Sequence, residues 1–340
     1  MIKKISIIGG AGGVGSTLAF FLGLKNRFER VCLIGNRRNV LETHLIDLRE
    51  CFGEETDTTV SGGGYEELND ADLVIMAGAV TGDKVTSRDD YLKANLNLVK
   101  EAAREIKNRA PKAAVISCTS PVDAYVMVFL RETGWDRHGL LGFCRNDSLR
   151  FRHMAAKVLN LNPGLISGNV LGEHGATQVP LFSTLRYKGE PLSVTADQKA
   201  QISHLLNTWY GYWQAQNSKR TTTWTSATSL WKNLEALFLS PKEPHLSPDW
   251  PWPAPQAQAP RDAACAQAPV SADAGTQWSV TMGSVLLRGE YGLSDVALGV
   301  PITPGPLGWG QVIELDLWPE EWEALKKSAE KVKSLYESCS

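Results

Sequence analysis

The sequence predicts an α/β fold, a doubly wound parallel sheet followed by an α+β part. Three observations carry this. Short apolar runs alternate with helix-like stretches over roughly the first 160 residues. That rhythm changes afterwards, when strand-like and helical segments no longer alternate regularly. A glycine-rich turn, "IIGGAGGVGS", joins the first apolar run to the first helical stretch.

Ile5–Ile8, Val31–Ile34, Leu73–Met76 and Ala113–Cys118 are short apolar runs, the first and last interrupted by a single serine, as expected of strands buried on both faces. Helical patterns lie between them, at Ser16–Leu24 and Tyr91–Arg109. Further on, strands are expected near Leu181–Tyr187 and Val280–Leu287, and helices over Ala196–Ala215 and Ser226–Phe238. A last helix starts at Pro319, where a missing N–H costs nothing. Glu320 and Glu321 suit its dipole, and Trp322, Leu325, Ala329 and Val332 share one face. Between these, 241–276 holds 8 of the 17 prolines, so regular structure is excluded and a surface insertion is expected.

Composition narrows the class. The chain of 340 residues is 43% hydrophobic with a net charge of −2, which points to neither nucleic acid nor an anionic membrane as partner. No apolar run reaches membrane-spanning length, and the opening run breaks at Gly9, so a cytoplasmic location is expected. Six cysteines without a CxxC pair indicate neither a disulfide framework nor a zinc site.

Gly10, Gly12 and Gly15 fit G-x-G-x-x-G directly after a strand and at the start of a helix. This is the context of a Rossmann-type dinucleotide site. The first glycine makes the turn, the second admits a pyrophosphate, and the third lets helix and strand pack closely. Gly13 and Val14 complete the turn, whose N–H groups face the phosphates. At the end of the second strand an acid normally binds the adenosine ribose. Here the chain reads "LIGNRR": Gly35 leaves space, and Asn36, Arg37 and Arg38 offer donors and positive charge. This favours NADP over NAD as cofactor.

Five further segments follow in order: "AGAVTGDKVTSRDDYLKANLNLVKE" (77–101), "TSPVD" (119–123), "NDSLRFR" (146–152), "GEHG" (172–175) and "RGEYGLSDVALGVP" (288–301). With the glycine turn they resemble the malate/lactate dehydrogenase family, over nearly the whole chain outside 241–276. The resemblance implies a dinucleotide-binding domain over 1–145 and a catalytic domain over 146–340, a 2-hydroxy or 2-oxo acid substrate, and a homodimer or homotetramer.

It also implies roles. His174 is the base, chemically apt because imidazole titrates near neutral pH. Asp147 orients it, although the same aspartate also suits a helix N-cap. Arg150 clamps the substrate carboxylate, and Arg88 rides on a mobile loop and polarises the carbonyl. Ala77, Gly78, Asn95 and Ser120 are expected at the cofactor, and Ser120, Lys84 and Thr222 at the substrate. No metal is expected.

The departures bear on substrate. The lid of a malate dehydrogenase usually carries a second arginine for the distal carboxylate. Here that stretch is "VTGDK" (80–84), where Lys84 supplies charge without a bidentate fork. Ser120 stands where the family has asparagine. Arg145, in "GFCRND", is an extra cation that either faces the site or caps a neighbouring element. Malate is the first substrate expected, a lactate-like or other 2-hydroxy acid the second. An NAD-dependent, metal-requiring glycosidase of the same fold is the alternative from another class, but Cys144 lacks a neighbouring histidine for such a metal.

Overall fold

The computed structural model describes residues 2–80, 88–218, 220–239 and 280–339, with the backbone alone at 88–91. The 241–276 segment therefore lies outside the described residues. The first half runs β1 (Lys4–Ile8), α1 (Gly13–Lys25), β2 (Arg30–Ile34), α2 (Arg38–Glu55), β3 (Thr59–Gly63), β4 (Leu73–Met76), α3 (Arg88–Arg109), β5 (Ala114–Ser117), α4 (Val122–Thr133) and β6 (Leu140–Gly142). These strands are parallel in the order β3-β2-β1-β4-β5-β6. The reversal of strand order beside β1 is the crevice where such sheets bind ligands.

The second half continues with α5 (Arg145–Leu159), β7 (Ile166–Ser167), β8 (Val170–Gly172), β9 (Gln178–Pro180), β10 (Arg186–Tyr187), β11 (Glu190–Pro191), α6 (Ala196–Ala215) and α7 (Thr223–Leu234). It ends with β12 (Thr281–Arg288), β13 (Ser294–Gly305), β14 (Gly308–Val312) and α8 (Pro319–Glu337). β12 joins the edge of β6 antiparallel, with Ser284 opposite Gly142, and β13, β8 and β9 extend the same sheet. The sheet thus carries the second half directly onto the first.

Two expectations need correction. Leu181–Tyr187 is not a strand: Phe182–Thr184 forms a 3-10 turn, and only Arg186–Tyr187 is extended. The cause is Glu321, whose carboxylate accepts both the backbone N–H (3.0 Å) and the hydroxyl (2.7 Å) of Ser183. Glu321 is accordingly buried, and from the first turn of α8 it also accepts the Trp318 N–H at 3.0 Å, in keeping with its expected place at the helix start. The helix expected over Ser226–Phe238 starts earlier, at Thr223, and passes into a π-turn over Glu235–Leu239.

α4 is the most enclosed helix near the site: Val122 to Phe129 are all buried. Among the described residues no helix is long and apolar enough to cross a membrane.

α1 and α2 meet through a glycine. A Cβ on Gly23 would fall 1.9 Å from Cζ of Phe52, a ring only 3% exposed. Gly23→Ala is expected to destabilise the protein by about 1–3 kcal/mol, because the packed ring must shift. Gly53, also helical, has no atom within 4 Å of a built Cβ. Gly53→Ala is expected to stabilise by roughly 0.5–1 kcal/mol through chain entropy. Denaturant midpoints of the two variants check the opposite signs.

Candidate active site

The glycine turn is built by close backbone approaches. The N–H groups of Gly9 and Gly10 both donate to the carbonyl of Ile34, at 2.8 and 2.9 Å, tying the turn to β2. Gly9 has φ +88°, and a Cβ there would lie 2.5 Å from the Gly78 nitrogen. A Cβ on Gly15 would lie 2.5 Å from the Gly9 carbonyl oxygen, and one on Gly10 2.6 Å from the Leu33 Cβ. Gly13 faces the Thr223 methyl of α7, 2.9 Å from a built Cβ. Gly12 caps α1 without a side-chain hydrogen bond, and the first turn, with Gly13, Val14 and Gly15, contains no acid. A helix start with no side-chain cap and no acid in its first turn fits the pyrophosphate of a dinucleotide.

Beyond β2, Asn36, Arg37 and Arg38 are exposed, and Arg38 opens α2. Gly35 packs on the turn, since a Cβ there would lie 3.1 Å from that of Ala11. Arg37 Nη2 donates to the Ala11 carbonyl at 2.5 Å, so this guanidinium sits beside the phosphate turn.

The second cluster lies where α4, α5 and the β8–β9 loop converge. His174 Nδ1 is 2.6 Å from Asp147 Oδ2, and Arg150 Nη1 donates to Asp147 Oδ1 at 3.1 Å. Asp147 and Arg150 lie three residues apart on α5 and so share a face. Asp147 is not an N-cap: Cys144 holds that position, and Asp147 lies within the first turn.

The turn that presents His174 depends on Gly172, whose φ is +87° and whose Cβ position is filled by Ser328 Oγ at 2.6 Å. On one side Ser328 Oγ accepts the Glu173 N–H at 2.7 Å. On the other, Asp123 Oδ2 accepts the His174 N–H at 2.8 Å, while its Oδ1 accepts the Ser284 hydroxyl at 2.6 Å.

Burial and charge compete at His174. Desolvation lowers its pKa, but the Asp147 charge and hydrogen bond, with the Asp123 charge, outweigh it, and the net direction is upward from 6.5. Burial pushes Asp123 up to about 6, against the Ser284 bond and the His174 charge. Burial also lowers the Arg150 pKa, offset in part by Asp147. Arg150 Nε is buried with no hydrogen-bond partner, and the guanidinium lies 4.1 Å from the ring centre of Trp209 on α6. A buried, unpaired guanidinium donor beside an apolar ring suits an incoming carboxylate.

The other expected residues are placed unevenly. Ala77 and Gly78 follow β4 and meet the glycine turn, and Gly78 O accepts the Thr119 hydroxyl at 2.7 Å. Asn95 is fully buried, and its Oδ1 accepts the Val80 N–H at 2.8 Å, bracing the root of the loop that leads to 81–87. Ser120 is half-buried before Pro121. Thr222 caps α7, with its hydroxyl 3.3 Å from that of Ser226. Arg145 is buried in the first turn of α5. Arg88 opens α3, but its side chain, like Lys84, lies outside the described residues. Cys144 is buried, and burial with the nearby Asp147 and Asp123 charges raises its thiol well above the usual value.

Residues 3–142 match the family model for the lactate/malate dehydrogenase NAD binding domain, and 145–210 that for the lactate/malate dehydrogenase alpha/beta C-terminal domain. The malate dehydrogenase 1 of Anaeromyxobacter dehalogenans is 30% identical over 97% of this chain and 96% of its own. The chain belongs to the lactate/malate dehydrogenase family. A malate dehydrogenase of Bacillus israeli is 29% identical over 98% of this chain and 97% of that one. The malate dehydrogenase structure of Cryptosporidium parvum matches with TM-score 0.82 and 26% identity, covering 100% and 99% of the two chains. The lactate dehydrogenase of Eimeria maxima, solved with NADH and oxamate, matches with TM-score 0.82 and 25% identity over 99% and 94%.

Within this family site, sequence reasoning missed Asp123, Ser284 and Trp209. Asp123 carried a signal, a carboxylate directly after the "SPV" that opens a helix. Ser284 and Trp209 carried none, since only the folded chain brings them to the site.

The pKa shifts predict the pH dependence of stability. Between pH 3.8 and about 6 the folded protein holds a proton on Asp123 that the unfolded chain releases, so stability falls as pH rises through that window. The His174 contribution is complete below 6.5 and is lost as pH rises through its raised folded value. Thermal midpoints against pH are expected to decline over both windows. Asp123→Asn flattens the acid part and His174→Gln the part above it.

Proposed function

We propose that the chain interconverts a 2-hydroxy acid and its 2-oxo acid at the His174–Asp147 pair, with a nicotinamide dinucleotide as hydride partner. The observation that carries this is one carboxylate, Asp147, holding the imidazole through one oxygen and the Arg150 guanidinium through the other. When bound, the nicotinamide takes or returns the hydride at the substrate C2 carbon.

Everything else falls to the chain. Asp147 accepts Nδ1–H, which fixes the tautomer and leaves Nε2 to take the hydroxyl proton, and it stabilises the imidazolium that results. Arg150 holds the substrate carboxylate, and Trp209 keeps its guanidinium from turning away. Arg88, at the head of α3, is assigned the polarising of the carbonyl oxygen. Thr222 and Ser120 border the substrate, and Asn95 supports the lid root. Residues 1–145 and 146–340 serve as cofactor and catalytic parts of a cytoplasmic homodimer or homotetramer.

Malate is the first substrate, on the strength of the malate dehydrogenase relatives. A lactate-like acid is the second, because "VTGDK" lacks an arginine and offers only Lys84 as a cation for a distal carboxylate. Steady-state assays with malate, lactate and bulkier 2-hydroxy acids test this. Turnover of one of them is expected, falling about 10²–10⁴-fold in His174→Asn. No turnover with either nicotinamide contradicts the reading.

The family model is named for NAD. For this chain we propose a preference for NADP, supported by Asn36, Arg37 and Arg38 exposed where an acid would repel a 2′-phosphate. Arg37→Ala is expected to weaken NADPH binding at least about tenfold more than NADH binding, one lost charge-assisted contact. Equal weakening in a fluorescence titration contradicts the preference.

A further inference from the structure

The base is held from two sides, and only one of them is Asp147. Asp123, in the first turn of α4, is 2% exposed. Both of its oxygens are engaged: Oδ2 with the His174 backbone N–H and Oδ1 with the Ser284 hydroxyl. Ser284 lies at the seam where β12 joins β6, opposite Gly142. A Cβ on Gly142 would fall 2.4 Å from Val122 Cγ1 and 2.9 Å from the Ser284 Cβ, so this glycine lets the start of α4 sit directly on the seam. A buried carboxylate is therefore fixed by the sheet and aimed at the loop that carries the base.

We propose that Asp123 is a second positioning carboxylate for His174, pinning the backbone of its loop to the β6–β12 seam and adding its negative charge to that of Asp147 near the imidazole. Packing alone would be served by an uncharged side chain, because burying a carboxylate costs free energy that one backbone hydrogen bond offsets poorly. The charge is useful when His174 becomes an imidazolium. Asp147 and Asp123 then face it together, with Arg150 opposing them. Asp123 itself faces His174, Ser284, Glu173 and the Cys144 thiol.

The inference rests on His174 being the base, and its test does not need turnover. The imidazole of His174 is titrated by NMR in the full-length protein, its signal assigned by its loss in His174→Asn. In Asp123→Asn an acceptor for the backbone N–H remains and the charge is gone. The His174 midpoint is expected to fall by about half a unit or more. Ser284→Ala removes no charge but strips a hydrogen bond that favours the ionised carboxylate. It is expected to move the midpoint in the same direction by less, and it serves if Asp123→Asn does not fold. In 2-oxo acid reduction, which needs imidazolium, the alkaline limb of the rate profile is expected to move to lower pH with the midpoint. A midpoint unchanged in the variants, with activity lowered equally at every pH, overturns the inference and leaves Asp123 a packing residue. A shifted midpoint in a protein that turns over no 2-hydroxy acid overturns the dehydrogenase reading instead.

Discussion

The contact between His174 Nδ1 and Asp147 Oδ2, 2.6 Å long and largely out of water, is the constraint around which the rest is arranged. An imidazole in a buried pocket loses its proton to desolvation unless a carboxylate retains it. That carboxylate is itself costly to bury unless cations and donors surround it. Asp147 meets this with His174 on one oxygen and Arg150 on the other. Arg150, short of a partner at Nε, then carries an unmet need for an anion. Under the proposed function a substrate carboxylate answers that need, which makes the electrostatics of the base and the recognition of the acid one arrangement.

The fold makes the arrangement rigid. The parallel sheet brings the glycine turn after β1 and the end of β4 together at the crevice, close enough that Gly9 has no room for a Cβ against Gly78. The antiparallel addition of β12 at the β6 edge sets Ser284 beneath α4. Ser328 of α8 holds the other side of the histidine turn. Elements far apart in sequence thus hold one loop, and His174 has little freedom to leave its carboxylate.

How much was legible follows from the same physics. Strands β1, β2, β4 and β5 are buried on both faces and stand out as apolar runs. β3, "TVSGG", is part of the same sheet but has only one strongly apolar residue, and it was not visible. In the second half several strands have two or three residues, too few for any periodicity. Ser183 was read within a strand because nothing local reveals that Glu321, 138 residues on, will take both its donors. At the site, His174, Asp147 and Arg150 were legible because they fall within short ordered motifs. Asp123 stood in such a motif without a role, and Trp209 reached Arg150 only through the packing of α6 on α5.

The central claim is that hydrogen leaves the substrate C2 as a hydride while His174 manages the proton. The most direct measurement uses a 2-hydroxy acid deuterated at C2, turned over with the oxidised nicotinamide, and locates the label by mass spectrometry. Deuterium recovered in the reduced nicotinamide, with none in water, is the predicted result. Deuterium released to solvent, or product formed without labelling the cofactor, contradicts it.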